Sequence, residues 1–437
     1  MQLVERVFPE SPGDARRAAW LIRAMAGFGL LLVALTWRLW TPQADFPQVP
    51  LVAFARGVPA SCEWSGTAAV VLGLGLALVA PQDSRLRRAA LAMFAAGTLA
   101  MVLVDQQRLQ PWAYQLVILA VLLAAARPAV AIAWARAFIV SFYVYSALTK
   151  LDYSFLHTLG QQFLAALAEL VHVSIDAWSE RTRLNLAAVF PLGELIVALG
   201  LCFRRTRYLA LAGAVLLHGL LLAILGPWGL DHKPGVLAWN SFFMVQNLIL
   251  FGPWPRTVVG ETDIGKMLGR ETVSAVNQRA FAPRVVQVAM LAVMVLPLLE
   301  PTTWFDMWPS WGLYATSAER VLLLVHRRER DSLPESFARF VEEPAASDDA
   351  WLVVRLDRWA LDALSAPIYP QSRTQLGVAL AVIARYDLGS RARVARLGLA
   401  DRFTGERETE IFAGWTQWEA AGDEYFLNNQ PRMQTFR

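Results

Sequence analysis

Long apolar runs alternate with short polar ones from Ala18 to about residue 300, and beyond residue 315 the chain reads like a water-soluble protein. A helix of roughly 20 apolar residues matches the hydrocarbon thickness of a bilayer. The runs lie near 18–40, 64–81, 89–104, 112–126, 128–149, 184–203, 208–226, 236–253 and 284–300. They predict about nine spans, several of them short. Trp37, Trp40, Trp112, Trp228, Trp254, Trp304 and Trp308 fall at predicted ends, where indole rings favour the membrane interface. The first run follows a polar start holding Glu5, Glu10 and Asp14, and it ends in Thr-Trp-Arg-Leu-Trp instead of small residues suited to cleavage. It reads as a retained helix, not a removable signal.

Between the fifth and sixth runs, apolar residues at 155, 156, 159, 163, 164, 167, 170 and 171 form a helical stripe. Asp152 is suited to cap that helix, and Ser154, His157, Thr158, Gln161 and Gln162 form its polar face. The pattern predicts an interfacial or re-entrant helix. In the tail, Glu319–Arg327 and Ala350–Leu356 read as strands, Ser372–Tyr386 as a helix, and 391–413 as two strands around a Thr-Gly-Glu turn. The expected fold is therefore mainly α: a polytopic helical membrane bundle over residues 1–309, then a small α+β soluble domain over 310–437.

Composition agrees: 56% of residues are apolar and 17% charged, against about 25% charged in an ordinary soluble domain. The net charge of +4 is accounted for by Arg-rich turns and needs no nucleic-acid partner. With the N-terminus cytoplasmic, the inner segments hold fifteen Lys and Arg, from Arg6 to Arg284, and the outer turns hold seven. That bias orients the chain in a cell (inner) membrane, and nine spans put the tail outside. Cys62 then lies outside and Cys202 near the inner face, too far apart to pair. No P-loop, GxGxxG, HExxH or GxSxG pattern is present.

The polar residues collect on the predicted outer side. Asp105-Gln106-Gln107-Arg108-Leu109-Gln110 leads into Tyr114 and Gln115; Tyr143 and Tyr145 precede Thr149-Lys150-Leu151-Asp152; and Asp231-His232-Lys233 closes a third turn. Each turn alone can be simply wet, but together they suggest one polar funnel, with Asp105, Arg108, Gln110, Tyr114, Tyr145, His232 and Asn240 as candidate substrate contacts. Ionisable residues inside spans are costly and so informative. Glu194, beside Pro191 and Gly193, and His218 can both exchange protons. Arg136, Gln246 and Asn247 read better as interhelical hydrogen-bonding groups. Lys150 admits two readings: a snorkelling lysine paired with Asp152, or a desolvated amine acting as a base. His157 and His172 flank a surface helix and read as solvent-facing, with no metal site implied.

An aromatic-rich span followed by Ser-Ala-Leu-Thr149-Lys150-Leu151-Asp152, an aromatic and an amphipathic helix resembles the Lys-Leu-Asp segment of vitamin K-dependent γ-glutamyl carboxylases and of their bacterial relatives, the horizontally transferred transmembrane (HTTM) proteins. His218 and the 236–253 span are similar to the His-containing stretch that follows in that family. The resemblance covers roughly residues 15–300. It implies a shared membrane scaffold, Lys150 as active-site base and a quinol-type pocket facing outward. Thr149 stands where the carboxylases have a second lysine, Leu221 where they have an Asn, and the tail has no likeness to their large lumenal part. DoxX-like quinone-linked membrane subunits are a neighbouring possibility.

The leading expectation is a membrane enzyme using a quinol or other lipid-soluble substrate, with catalytic residues Lys150 (base), Asp152 (orienting it), Glu194 and His218. The rival is a non-enzymatic scaffold presenting the tail to a periplasmic protein partner through Trp351, Trp359, Tyr369, Trp415 and Trp418. A transporter would need two related halves with broken spans, and the sequence shows none.

Overall fold

The computed structural model describes residues 2–11, 13–42, 45–82, 84–253, 283–314, 316–343 and 350–432. Arg256, Lys266, Arg270, Arg279 and Trp254, used above for orientation and interface, lie outside the described residues.

The chain is mainly helical with a small sheet near its end. Its helices are α1 (Gln2–Val7), α2 (Asp14–Leu35), α3 (Trp37–Trp40), α4 (Ala60–Val79), α5 (Arg85–Val104), α6 (Pro111–Ala125), α7 (Pro128–Leu148), α8 (Tyr153–His157), α9 (Leu159–Leu170), α10 (Glu180–Cys202), α11 (Arg207–Leu225), α12 (Pro234–Phe251) and α13 (Pro283–Val295). Among the described residues, eight helical segments are long and apolar enough to cross a membrane: α2, α4, α5, α7, α10, α11, α12 and the stretch Arg284–Thr302. The fourth predicted run is the shorter apolar α6.

Local chemistry sets the boundaries. Proline opens α6, α7 and α12, where its missing N–H costs nothing. Ser84 and Ser179 cap α5 and α10, accepting from Arg87 N at 3.1 Å and Thr182 N at 3.2 Å. The first predicted run breaks at Thr36, whose hydroxyl donates to Leu32 O at 2.7 Å and accepts from Trp40 Nε1 at 3.2 Å. The last predicted run tightens into a 3-10 stretch at Leu296–Thr302, because Pro297 cannot continue the α-helical ladder. Gly73 lets α4 lie against α5: a Cβ there would come within 2.7 Å of the Phe94 backbone.

Side-chain bonds show which ends share a face. Arg17 donates to Ile249 O (2.7 Å) and Gly252 O (3.0 Å), Arg136 to Leu250 O (2.7 Å), and Arg207 to Val7 O (3.3 Å). The start of α2 and α7 and the end of α12 thus meet at one end of the bundle. The tail sits at the other.

The tail forms a five-stranded antiparallel sheet in the order β2-β3-β1-β4-β5, from β1 (Arg320–His326), β2 (Val341–Glu342), β3 (Trp351–Val354), β4 (Ala392–Leu397) and β5 (Thr409–Phe412). Four of these strands match the sequence pattern; the two-residue β2 is too short to show one. Short helix α14 (Glu335–Ala338) and helices α15 (Leu356–Leu364), α16 (Ser372–Arg385) and α17 (Trp415–Asp423) complete it. Residues 372–383 of α16 are all buried, because the helix lies between the sheet and the bundle. Gly377 meets Val49 and the Asn429 carbonyl, so a side chain there would force the two parts away from each other. Most of the aromatics a docking tail would present are used inside: Trp359, Tyr369 and Trp418 are buried, while Trp415 is exposed.

Candidate functional site

The first of the polar turns predicted to form a funnel, Asp105–Gln110, forms a joint instead. Asp105 caps the 3-10 turn Gln106–Arg108, accepting from Gln107 N at 3.1 Å and Val49 N at 3.4 Å. Gln106 bonds Asn428 O (2.8 Å), Arg373 (2.8 Å) and Thr374 (2.9 Å) of the tail. Gln107 bonds Pro367 O (2.6 Å) and Tyr369 N (2.7 Å). Gln110 turns back onto Gln107 O at 2.8 Å. Arg108 is fully buried and pairs with Glu63, which also takes Arg432 and the amide of Gln48. Burial pushes the Asp105 carboxyl up to about 6, against the opposing pull of Arg108. Asp105, Arg108 and Gln110 are therefore corrected from substrate contacts to docking residues. The sequence showed that they share a face, but not that the tail covers it.

Two further candidates are also used structurally. Tyr114 stacks on Trp311 with ring centroids 5.2 Å apart. The Tyr145 hydroxyl donates to Met294 O at 2.6 Å, tying α7 to α13.

The remaining candidates converge elsewhere. At the end of α7 the Lys150 ammonium donates to Ser146 Oγ (2.7 Å) and to Glu194 Oε1 (2.6 Å) and Oε2 (2.8 Å). All three ammonium hydrogens thus have acceptors. Lys150 is 5% exposed and Glu194 7%. The snorkelling reading is overturned, and so is the pairing with Asp152. That residue caps α8 through Phe155 N at 2.6 Å, and its Oδ2 has no hydrogen-bond partner among the described residues. Glu194, reached from α10, orients Lys150 in its place.

A second buried network faces the same space. Asn240 Nδ2 donates to Val236 O at 2.9 Å, leaving its Oδ1 for His218 Nδ1 at 3.0 Å. That places the imidazole proton on Nδ1, so Nε2 accepts from the Tyr143 hydroxyl at 2.7 Å. Asn247 Nδ2 donates to the same phenol oxygen at 2.7 Å. His218 stacks on Phe243, centroids 4.9 Å apart, which fixes its plane. Asn247 acts here as interhelical glue, as do Gln246, bonded to Gln115 at 3.1 Å, and Arg136, which also pairs with Asp14 at 3.4 Å.

Tyr143, Ser146, Lys150, Glu194, His218 and Asn240 line one cavity of about 480 Å³. Its other walls are apolar and include Phe163 and Leu167 of α9, which packs on α10 and α11. The predicted interfacial helix is thus part of the cavity wall, and it breaks from α8 at Thr158. His232 is half-buried with its ring 6.2 Å from that of Tyr314, another lining residue, so it stands at the rim. Ser146 and Tyr143 were not singled out as site residues in the sequence. Ser146 had a readable signal, lying four residues before Lys150 on the same helical face.

A second cavity of about 540 Å³ lies between the bundle end and the tail, touching Thr149. Its arginines are already engaged: Arg402 on Leu148 O and Arg407 on Ala318 O (2.7 Å) and Gly398 O (2.9 Å). The smaller cavity is the stronger candidate because its polar side chains are buried, ionisable and aimed at one space. Among the described residues no group of three or more His, Cys, Asp or Glu could hold a metal ion. Comparisons with family models, curated proteins and solved structures find no match to this chain.

Proposed function

We propose that this chain is a nine-span protein of a cell (inner) membrane, with its N-terminus cytoplasmic and its tail external. In this reading it binds a lipid-soluble, quinol-type molecule beside Lys150. The observation that carries the reading is the meeting of two buried polar networks, Lys150–Glu194–Ser146 and Tyr143–His218–Asn240, in an otherwise apolar cavity. Eight apolar helices support membrane residence. The alternation of helix ends, with the N-terminal end opposite the tail, is what α6 as a ninth span produces.

The chemistry proposed is proton exchange. Within the ion pair the ammonium proton can pass to a Glu194 oxygen, leaving a free amine with a lone pair. That amine takes the proton of a hydroxyl on the bound ring, and the new ammonium faces the oxyanion it has made. Tyr143 gives its one proton to His218 Nε2 and accepts from Asn247, so its remaining lone pair is placed to accept a hydrogen bond from a second ring hydroxyl. This account keeps the resemblance to the carboxylase and HTTM proteins as a proposal about scaffold and base. It assigns the orienting role to Glu194 where the motif suggested Asp152.

The test is binding of a quinone analogue to the full chain in lipid nanodiscs, wild type against Lys150→Ala. The reading expects saturable binding that weakens at least about tenfold in the variant, equivalent to about 1.4 kcal/mol. Unchanged binding would remove Lys150 from the site.

A further inference from the structure

Two arginines in α2 differ from the one between them. Arg17 donates to Ile249 O and Gly252 O and pairs with Asp14 at 3.6 Å. Arg16 and Arg23 make no hydrogen bond or ion pair among the described residues. Arg16, Trp20, Arg23, Gly27 and Leu31 follow one another at helical steps of three or four, so they stand on one face of α2. That face is turned out of the bundle: Arg16 is exposed, Trp20 and Leu31 are 48% and 45% exposed, and Arg23 is half-buried. The Arg23 guanidinium lies over the Trp20 ring, 5.5 Å from its centroid. Helical side chains lean toward the N-terminus, so Arg23 reaches back along the face toward Arg16. Beyond it, Gly27 leaves a notch, with no atom within 4 Å of a Cβ built there. Depth makes the arrangement unusual. Ile249 and Gly252, which Arg17 reaches, mark the end of α12. Arg23 lies six residues further into α2, roughly 9 Å at the α-helical rise. An arginine on a lipid-facing surface at that depth is costly unless an acceptor meets it.

We propose that this face of α2 is a binding site for an anionic phospholipid of the leaflet opposite the tail. Arg16 and Arg23 hold the phosphate from either side of Trp20, and an acyl chain runs along Gly27 and Leu31. The site is separate from the cavity beside Lys150, and it needs only that the apolar helices reside in a membrane.

Three observations carry the occupant. The planar guanidinium presents forked donors that match phosphate oxygens, and two of them on one face supply both charge and geometry. The charge balance then selects among lipids. The single acid of α2, Asp14, is buried and pairs with Arg17 and Arg136, so the face itself is purely cationic. A zwitterionic head group would bring an ammonium against two arginines, whereas a head group whose phosphate is the sole charge is attracted by both. Finally, the strip beyond Arg23 is apolar, open and part of a helix long enough to cross a bilayer, which suits an acyl chain and offers nothing to a dissolved phosphate ion. Trp20 sits at the depth of the glycerol region, where indole rings are favoured.

The test is native mass spectrometry of the full chain in mild detergent, titrated with phosphatidylglycerol or with phosphatidylcholine of the same acyl chains. The wild type should bind phosphatidylglycerol at least about tenfold more tightly than phosphatidylcholine. Arg16→Gln/Arg23→Gln should weaken phosphatidylglycerol at least about tenfold and Arg23→Gln alone about fivefold, with phosphatidylcholine unchanged in both. Arg204→Gln/Arg205→Gln removes the same charge from exposed positions in the turn between α10 and α11 and should stay within about twofold of wild type. Equal binding of the two lipids by the wild type, or phosphatidylglycerol binding by the Arg16/Arg23 double variant within about twofold of wild type, overturns the site. An equal loss in the Arg204/Arg205 variant also overturns it, since net charge alone would then explain the preference. Displacement of phosphatidylglycerol by millimolar inorganic phosphate would overturn the lipid as occupant and leave a simple anion site.

Discussion

Removing one partner of the Lys150–Glu194 pair isolates a buried charge, and the structure fixes how costly that should be. Lys150→Met deletes three hydrogen bonds at 2.6–2.8 Å and leaves the Glu194 carboxylate, 7% exposed, without a counter-charge. Glu194→Gln keeps the shape but leaves the ammonium, 5% exposed, facing a neutral amide. Breaking a buried ion pair from one side costs about 3–5 kcal/mol, whereas replacing both charges together is close to neutral. Each single variant should therefore lose about 3 kcal/mol, and the double variant Lys150→Met/Glu194→Gln, which still buries an amide without its partner, about 3 instead of the additive total of about 6, giving a coupling of about 3 kcal/mol. The assay is a double-mutant cycle by equilibrium unfolding of the purified full chain in mild detergent, with helicity checked by circular dichroism. Two singles each within about 0.5 kcal/mol of wild type, or strict additivity in the double, would refute the reasoning, since independent exposed charges behave that way.

Three further outcomes follow from other parts of the molecule. Burial raises Asp105 from 3.8 to about 6, so the folded state holds a proton that the unfolded chain has released between those values. The contribution of Asp105 to stability should be greatest below pH 4 and fall by on the order of 3 kcal/mol as pH rises through 6; Asp105→Asn should remove that component of the pH dependence and be the more stable protein at pH 7.5. Glu63→Gln leaves the buried guanidiniums of Arg108 and Arg432 without their carboxylate, at about 3–5 kcal/mol. Limited proteolysis should then cut the tail faster, and an unchanged cleavage rate would mean that Glu63 does not hold the joint. Tyr143→Phe orphans Asn247 Nδ2 and leaves His218 Nε2 without its donor, at about 1–3 kcal/mol. A melting temperature equal to wild type would contradict the network as drawn.

The apolar helices were legible because bilayer length and continuous hydrophobicity are local properties of a sequence. So were the Asp152 cap, the strand at Arg320–His326 and the helix from Ser372, each carried by its own short pattern. Lys150, Glu194, His218 and Asn240 were legible as anomalies, since ionisable and amide groups in apolar runs demand partners. Which partners they chose was not. Glu194 lies 44 residues from Lys150 in sequence, while Asp152 lies two away and looked the nearer mate. Helix geometry turns Asp152 toward its own N–H groups and sends Lys150 across to α10. The turn at Asp105–Gln110 misled for a related reason. A polar turn that docks a domain and one that meets a ligand use the same side chains, and the difference resides in Arg373, Tyr369 and Arg432, more than 250 residues away. The Glu63 triad had no readable signal, because one acidic residue in the first turn of an apolar helix is ordinary.

The central claim is that the cavity enclosed by α7, α9, α10, α11 and α12 binds a lipid-soluble ring beside Lys150. Photolabelling of the full chain in nanodiscs with a chain-bearing photoreactive naphthoquinone, mapped by mass spectrometry, tests it most directly. The account predicts adducts within 142–150, 186–197 and 213–224, suppressed by excess unlabelled quinone and lost in Lys150→Ala. Adducts spread over the outer helix surfaces, or labelling that competitor and variant leave unchanged, would contradict it.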